Sequence, residues 1–442
     1  RRAHGVADVI EARALHNSHI DPKTGLFSAL LSAISIGSGA SVGREGPIVH
    51  LGATFSAMIE DRFKLSPGAR RTLLSCGVAA AVSASFNAPI AGVLFAHEVI
   101  LTHYAFRALV PTVIASVIAA VIARVHLGNS VTFLIPDYSI TSYWEFPAFA
   151  LLGLTCAAVA IIFEIALMAT DRVSWRFEMP LWLRTGLGGL MVGSIAVFFP
   201  QVLGVGYDAT NEALQRELPL LLLLSLIVAK TAATAISLAC RFAGGIFSPS
   251  LYLGAMTGSA FGLIATSVFP EVGSSQGLYA ILGMGAVAAS VLGAPLSTTM
   301  IVFELTGGYT MTIALLLTVS IAVGVTQAFL GHSLFYWQLG RRGLFLQEGP
   351  HKSIQRRLRV DDFFTPVDPE AEPRHVQDKD APWLMATDTL ERALREFDRS
   401  GQPRIVVVSA VDPTLIIGHA DRLNALNLFN KALIDAAVEE HR

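Results

Sequence analysis

Long stretches without a single Asp, Glu, Lys or Arg constrain this chain more than any motif does. Thr72 to Ala96, Thr185 to Tyr207, Phe242 to Pro270, Val272 to Phe303 and Leu305 to Gly340 are all free of these residues. A hydrocarbon layer about 30 Å thick is crossed by roughly 20 apolar residues wound as a helix, so several of these runs are long enough to span a bilayer. Shorter apolar pieces, Ala108 to Ala123 and Phe146 to Phe163, suit tilted or incomplete crossings. The runs are continuous rather than alternating, which argues against a β-barrel. The expected fold class is an all-α polytopic membrane protein.

Only 15% of the 442 residues are charged, against about 25% in ordinary soluble domains. Almost half of those charges follow Gly340, so an apolar part is joined to a tail of soluble character. Directly after the last run stand Arg341, Arg342, Lys352, Arg356, Arg357 and Arg359, opposed only by Glu348. This excess of cations places the end of the membrane part, and with it the tail, in the cytoplasm. A net charge of −2 offers no footprint for a nucleic acid. Cys76, Cys156 and Cys240 are scattered through apolar surroundings and support neither a disulfide framework nor a zinc site. With no metal-ligand spacing, phosphate loop or nucleophile–base cluster, neither an enzyme nor a cofactor is expected. The chain opens on the polar RRAHGVADVIEARAL, which is no signal peptide, and an N-terminal truncation is expected.

An internal repeat organises the apolar part. SGASVGREGPIVHLGA (Ser38 to Ala53) echoes RFAGGIFSPSLYLGA (Arg241 to Ala255), with Pro47 matching Pro249. CGVAAAVSASFNAPIAGVLFAHE (Cys76 to Glu98) echoes MGAVAASVLGAPLSTTMIVFE, with Pro89 matching Pro295 and Glu98 matching Glu304. Each first motif is glycines, then proline, then an apolar run. Non-helical backbone at membrane depth is tolerated only where it lines a cavity or is buried in protein. Freed N–H groups at the start of the following half-helix, at the positive end of its dipole, form an anion pocket. Paired breaks at matching places in two repeats point to a transport site. Small residues serving helix packing are the plainer reading of a lone Gly-rich motif.

GREGP (Gly43 to Pro47), FNAPIAGVLF and GIFSP (Gly245 to Pro249) together resemble the CLC family of chloride channels and proton-coupled chloride transporters, over Ala3 to Gln338. The resemblance implies an inverted-repeat fold of tilted and broken helices, a homodimer surrounded by membrane lipid, and one anion pathway per subunit. Expected domains are a transmembrane domain at 1–348, with half-repeats near 1–145 and 146–348, a linker at 349–382 and a small module at 383–442. A bacterial inner (plasma) membrane is the expected location.

Glu45 resembles the family's gating glutamate. A carboxylate among glycines at a helix start in a membrane segment is costly and by default functional. Ionised, it can occupy the half-helix N–H groups in place of chloride; protonated, it can swing aside. The resemblance further implies anion coordination by backbone amides around Arg44, Glu45 and Gly46 and of Ile246 and Phe247, whose side chains are expected to pack. Such donors stabilise a partly dehydrated anion without trapping it.

Three positions depart from the family pattern. The GSGIP-like stretch whose Ser binds the central anion aligns with AHGVA, so His4 takes the Ser position. The tyrosine beyond the last membrane run aligns with Phe335, with Tyr336 next to it. The proton-relaying glutamate of the coupled exchangers aligns with Val99, which cannot carry a proton. Val99 makes passive, channel-like chloride conduction gated by Glu45 the leading expectation, with proton-coupled chloride or halide exchange as the alternative. Glu98 and Glu304 are expected to cap or pair within the bundle. Lys230 is read as a vestibule charge or a partner for Glu304, and Arg241 as an anion attractor or a snorkelling side chain.

The tail from Thr387 onward reads helix, strand, turn, strand, helix, with Leu390, Ala393, Leu394 and Phe397 on the apolar face of its first helix. It resembles one CBS module, an α/β unit that can take an adenosine nucleotide, although packing without any ligand is an equal reading.

Overall fold

Proline and left-handed residues decide where the apolar runs become separate helices. The computed structural model describes residues 4–15, 18–128, 133, 140, 142–176, 178–215, 218–270, 273–306, 309–344, 350–367, 382–409, 412 and 414–441. Described contacts divide the chain into two units, Arg1–Gln338 and Leu339–Arg442.

In the first unit the chain runs through α1 (Val6–Leu15), α2 (Pro22–Gly37), α3 (Glu45–Phe63), α4 (Pro67–Phe86) and α5 (Pro89–Phe95). Helix α5 continues into a π-helical turn, Ala96–Leu101, before α6 (Phe106–Leu127). Helices α7 (Phe146–Trp175), α8 (Leu181–Phe198) and α9 (Tyr207–Leu214) lead to α10 (Leu220–Ala239), α11 (Phe247–Val268), α12 (Gln276–Leu292), α13 (Pro295–Thr306), α14 (Tyr309–Leu330) and α15 (Leu334–Gly340). Six segments among the described residues are long and apolar enough to cross a membrane: Phe106–Leu127, Tyr143–Trp175, Leu181–Phe198, Leu220–Ala239, Phe247–Val268 and Met311–Gly340.

Two sequence expectations change here. The pieces at Ala108 to Ala123 and Phe146 to Phe163, expected as tilted or incomplete crossings, belong to helices of 22 and 30 residues, so neither is incomplete in length. A charge ends an apolar run without ending a helix: Arg124 continues α6, and Glu164 sits on the buried face of α7. Conversely, Thr72 to Ala96 and Val272 to Phe303 do not fold as single spans. Asn87 at φ 55° and Gly293 at φ 66° stop α4 and α12 in the left-handed region, where helices commonly end. Pro89 and Pro295 then open α5 and α13, because proline fits the first turn of a helix, where its missing N–H has no intrahelical acceptor.

The repeat is a structural one. Gly52 of α3 faces Gly77 of α4, where a Cβ would lie 2.4 Å from the Gly77 carbonyl oxygen. Their repeat mates, Gly254 of α11 and Gly283 of α12, meet in the same way, with a Cβ at Gly254 2.2 Å from the Gly283 oxygen. Some glycines therefore do serve close packing, as small residues do in membrane bundles. The halves also exchange caps. Glu98 accepts the amides of Leu296 at 2.9 Å and Ser297 at 2.7 Å, and Glu304 accepts those of Ile90 at 3.0 Å and Ala91 at 2.7 Å. Each carboxylate sits on the helix N-terminus opened by proline in the opposite half, where negative charge is favoured.

The second unit begins at Leu339, ahead of the boundary expected after 348. The stretch 349–382, expected as a linker, contains ordered structure: α16 (Pro350–Arg357) and β1 (Thr365–Pro366). Val360 and Phe363, apolar and spaced three apart, are buried there in the tail's core and anchor the segment. Glu348 and 368–381 lie outside the described residues. Strands β2 (Trp383–Met385), β3 (Arg404–Val408) and β4 (Ile416–Asp421) join β1 in a sheet of order β1-β4-β3-β2. β2 and β3 are parallel and the other pairs antiparallel. Helix α17 (Leu390–Ser400) buries Leu390, Ala393 and Phe397 against the sheet, and α18 (Arg422–His441) follows β4. A cleft of about 350 Å³ between the helices carries Arg395 and Arg422, each already paired with an acid, Glu391 and Asp398.

The exchanged caps predict equal damage from either side. Removing a carboxylate that accepts two helix N-terminal amides costs about 2 kcal/mol, which lowers Tm by roughly 2 °C in a protein of this size. Glu98→Ala and Glu304→Ala are each expected to show that shift in thermal unfolding of the detergent-solubilised protein.

Candidate functional site

Two interrupted helices meet nose to nose. α3 begins at Glu45 and α11 at Phe247, each after a glycine loop. The loops bind one another through Gly43 and Gly245: each amide donates to the other's carbonyl at 2.7 Å. Only glycine fits this approach. A Cβ on Gly245 would lie 3.0 Å from the Gly46 nitrogen, and one on Gly244 2.2 Å from Val42 Cγ2.

First-turn amides of a helix have no intrahelical acceptor. Here they include Arg44, Glu45 and Gly46 on one side and Ile246, Phe247 and Ser248 on the other, before the first intrahelical bonds at Ile48 and Ser250. Pro47 and Pro249 occupy the third position of each helix and lack an N–H. Two sets of orphan donors and two positive dipole ends thus converge on one place.

The side chain of Glu45 lies there, 3% exposed. Oε1 accepts the Tyr207 hydroxyl at 2.6 Å, and Oε2 accepts the Ser248 hydroxyl on the first turn of α11. Arg44 Nε stands 3.9 Å from Oε1, and its guanidinium lies 5.0 Å from the Tyr207 ring centre. Beyond Arg44 and Tyr207 opens a cavity of about 630 Å³, also lined by Ser85, Asn87 and Arg124. Ile246 and Phe247 are buried, and the Phe247 ring packs against Phe86 at 5.1 Å and Phe95 at 6.4 Å.

Other expected positions stand apart from this carboxylate. His4 has Nδ1 3.3 Å from Asp8 and its ring 5.3 Å from that of His50, and its amide donates to Ser28 Oγ at 3.3 Å. Phe335 is buried on α15, with Tyr336 half-buried beside it. Among the described residues no hydrogen bond joins His4, Phe335 or Tyr336 to Glu45. Val99 is buried in the π-helical turn next to the cap Glu98.

Both readings of Lys230 give way. Its ammonium is fully buried, donates at 3.0 Å to the carbonyls of Val202 and Gly204, and lies 5.0 Å from the Tyr252 ring centre. It clamps the turn before α9 and so helps place Tyr207; Glu304 is occupied by the α5 amides. Arg241 is 3.9 Å from Asp171 and 5.3 Å from the Trp175 ring centre, which ties it to the end of α7.

Tyr207 and Ser248 are the site residues that sequence reasoning missed. Ser248 sits inside the GIFSP motif itself. For Tyr207 the repeat held a signal: HGVADVIEA (His4 to Ala12) matches VGYDATNEA (Val205 to Ala213), so the loop before α9 mirrors the loop before α1.

The arrangement is an electropositive seat filled by the protein's own carboxylate. A hydrogen bond to a charged acceptor contributes about 1.5–3 kcal/mol, so losing the Tyr207 hydroxyl weakens the occupant by about tenfold or more. Tyr207→Phe is expected to raise the apparent chloride affinity by that factor in a calorimetric titration at neutral pH.

Comparison with known proteins agrees with this geometry. The family model described as "Voltage gated chloride channel" matches residues 1–327. A ClcB-like chloride channel protein of Ralstonia nicotianae is 32% identical over 320 residues, covering 71% of this chain and 74% of its own. The H(+)/Cl(-) exchange transporter ClcA of Yersinia pestis is 32% identical over 330 residues, covering 72% of this chain and 68% of its own. The crystal structure of a slow cyanobacterial Cl-/H+ antiporter superposes with TM-score 0.69 at 25% identity, covering 77% of this chain and 81% of that one.

Proposed function

The chain belongs to the voltage gated chloride channel family, whose business is anion transport across membranes, and on that premise we propose that it exchanges chloride for protons with Glu45 as the gate. The observation that carries this reading is the buried Glu45 carboxylate seated across the α11 N-terminus on the hydroxyls of Tyr207 and Ser248.

An ionised Glu45 and a chloride compete for the same amides of Arg44, Glu45, Gly46, Ile246 and Phe247. Protonation removes the charge that holds the carboxyl there, so the seat passes to chloride. When the proton leaves, the carboxylate displaces the anion. The carboxylate and the anion therefore alternate at one place, which ties anion occupancy of the seat to the protonation of Glu45. Backbone donors keep the anion from being trapped, and Arg44 and Arg124 around the adjoining cavity raise the local anion concentration.

Val99 had favoured passive conduction. The relative named as an exchange transporter and the antiporter structure weigh towards coupling instead. The same reading takes the protein as a homodimer in a bacterial plasma membrane, with the tail as a single CBS-like module in the cytoplasm. The sheet and helices of the tail support the module; the cleft at Arg395 and Arg422 presents only cations already paired with acids.

Purified protein in liposomes with an outward chloride gradient tests the proposal through simultaneous chloride and pH recording. Chloride efflux is expected to drive protons inward against their gradient. Glu45→Gln is expected to abolish the proton movement while chloride still passes, independently of pH. Chloride efflux from the wild type without any proton movement overturns exchange and restores passive conduction.

A further inference from the structure

Coupling requires that the Glu45 proton reach the aqueous face opposite the one through which it enters, so a proton path through the protein is needed, and a titratable group inside it can relay the proton. Val99 is not one. The helix that carries it holds two acid–base groups beside it, Glu98 and His97, and they differ in one respect. Both Glu98 oxygens accept amides of α13, from Leu296 and Ser297. His97 is fully buried, and only its Nδ1 has a partner, the His103 carbonyl at 2.9 Å. A carbonyl can only accept, so this bond assigns the neutral ring as the Nδ1–H tautomer and leaves a lone pair on Nε2. That Nε2 is buried without a partner among the described residues, and buried polar atoms without partners are rare in folded proteins.

The placement fits a carrier. Phe95, at the end of α5, lies 6.4 Å from the ring of Phe247, whose neighbour Ser248 holds the Glu45 carboxylate. His97 follows two residues later in the π-helical turn, a distortion frequent at functional sites. On its other side the ring stacks on Tyr104, with centres 5.7 Å apart and planes 12° from parallel. Tyr104 is half exposed and follows Thr102 and His103, where the backbone is not helical. Exposed backbone of that kind does not face lipid, so this end meets water. The charged and titratable groups around the turn are Arg13 from α1, bonded to the Leu101 carbonyl, Arg71 from α4, which with Arg13 acts on His103, then His103 and Tyr104 from the following loop and Glu98 on the turn itself.

We propose that His97, through Nε2, carries the proton between Glu45 and the aqueous face at Thr102–Tyr104, the role that Val99 leaves vacant. Nε2 takes one proton from a hydronium ion at the aqueous face, which reverts to water, while Nδ1–H stays bonded to the His103 carbonyl. The imidazolium then releases the Nε2 proton, over intervening water, to the Glu45 carboxylate and returns to the neutral ring. One O–H of the hydronium breaks, one N–H forms and breaks, one O–H forms on the carboxyl group, and one proton is transferred.

This inference rests on the exchange reading, and the paired flux assay in liposomes separates the two. His97→Asn keeps an amide donor where Nδ1 stands and removes the lone pair at Nε2; His97→Gln removes the ring altogether. Each is expected to cut chloride-driven proton movement at least tenfold with chloride flux within about twofold of the wild type. Proton movement at the wild-type rate in either variant overturns the assignment of His97 and leaves exchange standing; a wild type that moves no protons overturns both. Should neither variant fold, nitrogen NMR of histidine-labelled wild-type protein decides. A ring with Nε2 unprotonated at neutral pH that gains its proton on acidification supports the carrier, and Nε2–H at every pH overturns it.

Discussion

The reciprocal hydrogen bonds between Gly43 and Gly245 are the constraint on which the rest of the first unit depends. Two loops that would otherwise be unsatisfied backbone inside a membrane protein satisfy each other, and in doing so they set the noses of α3 and α11 against one another. Everything polar at the centre follows. The orphan amides converge because the loops are bound, the positive dipole ends coincide because the helices start there, and Glu45 has an electropositive place to sit because both are true. A side chain at Gly245, Gly244 or Gly43 would push the loops apart, which is why these glycines are functional while those at Gly52 and Gly254 merely let helices touch.

The same two-fold logic recurs away from the seat. Glu98 and Glu304 each reach into the opposite half to cap a helix that a proline has opened. An intramembrane acid is by default a candidate for transport chemistry, and these two show the alternative: a carboxylate whose oxygens are both filled by amides is a bolt. Glu45 differs because its hydrogen-bond partners are hydroxyls, from Tyr207 and Ser248, rather than the amides of a helix end. Lys230 belongs with the bolts. Its three acceptors are two carbonyls and an aromatic face, none of them mobile anions, and the turn it ties down carries Tyr207.

Much of this was legible from residues alone. Charge-free runs set the fold class, and the echo of GREGP in GIFSP located the breaks and the carboxylate. The tail's helix–strand–strand–helix order followed from ordinary periodicity. Element lengths were read less well: runs bounded by charge misjudged α6 and α7, because a buried Glu164 or a terminal Arg124 is compatible with a continuing helix, and they merged α4 with α5 and α12 with α13, because an apolar run does not register a left-handed Asn87 or Gly293. The stretch 349–382 looked polar enough to be a linker, yet Val360 and Phe363 bind it into the tail's core.

By itself the sequence determined that two similar halves lie in a membrane, that each carries a Gly–Pro break, and that a single acid stands at one of them. Those properties are local: composition, spacing and the chemistry of one residue type. Which groups face that acid was decided only by the tertiary structure, since Tyr207 lies 162 and Ser248 203 residues from Glu45. The same holds for Glu98 and Glu304, whose amide partners are about two hundred residues distant, and for His97, whose open Nε2 is visible only once the His103 carbonyl has claimed Nδ1. Partners at such separations are set by where helix ends converge, and nothing in the order of residues along one helix records the side chains that another helix brings to it.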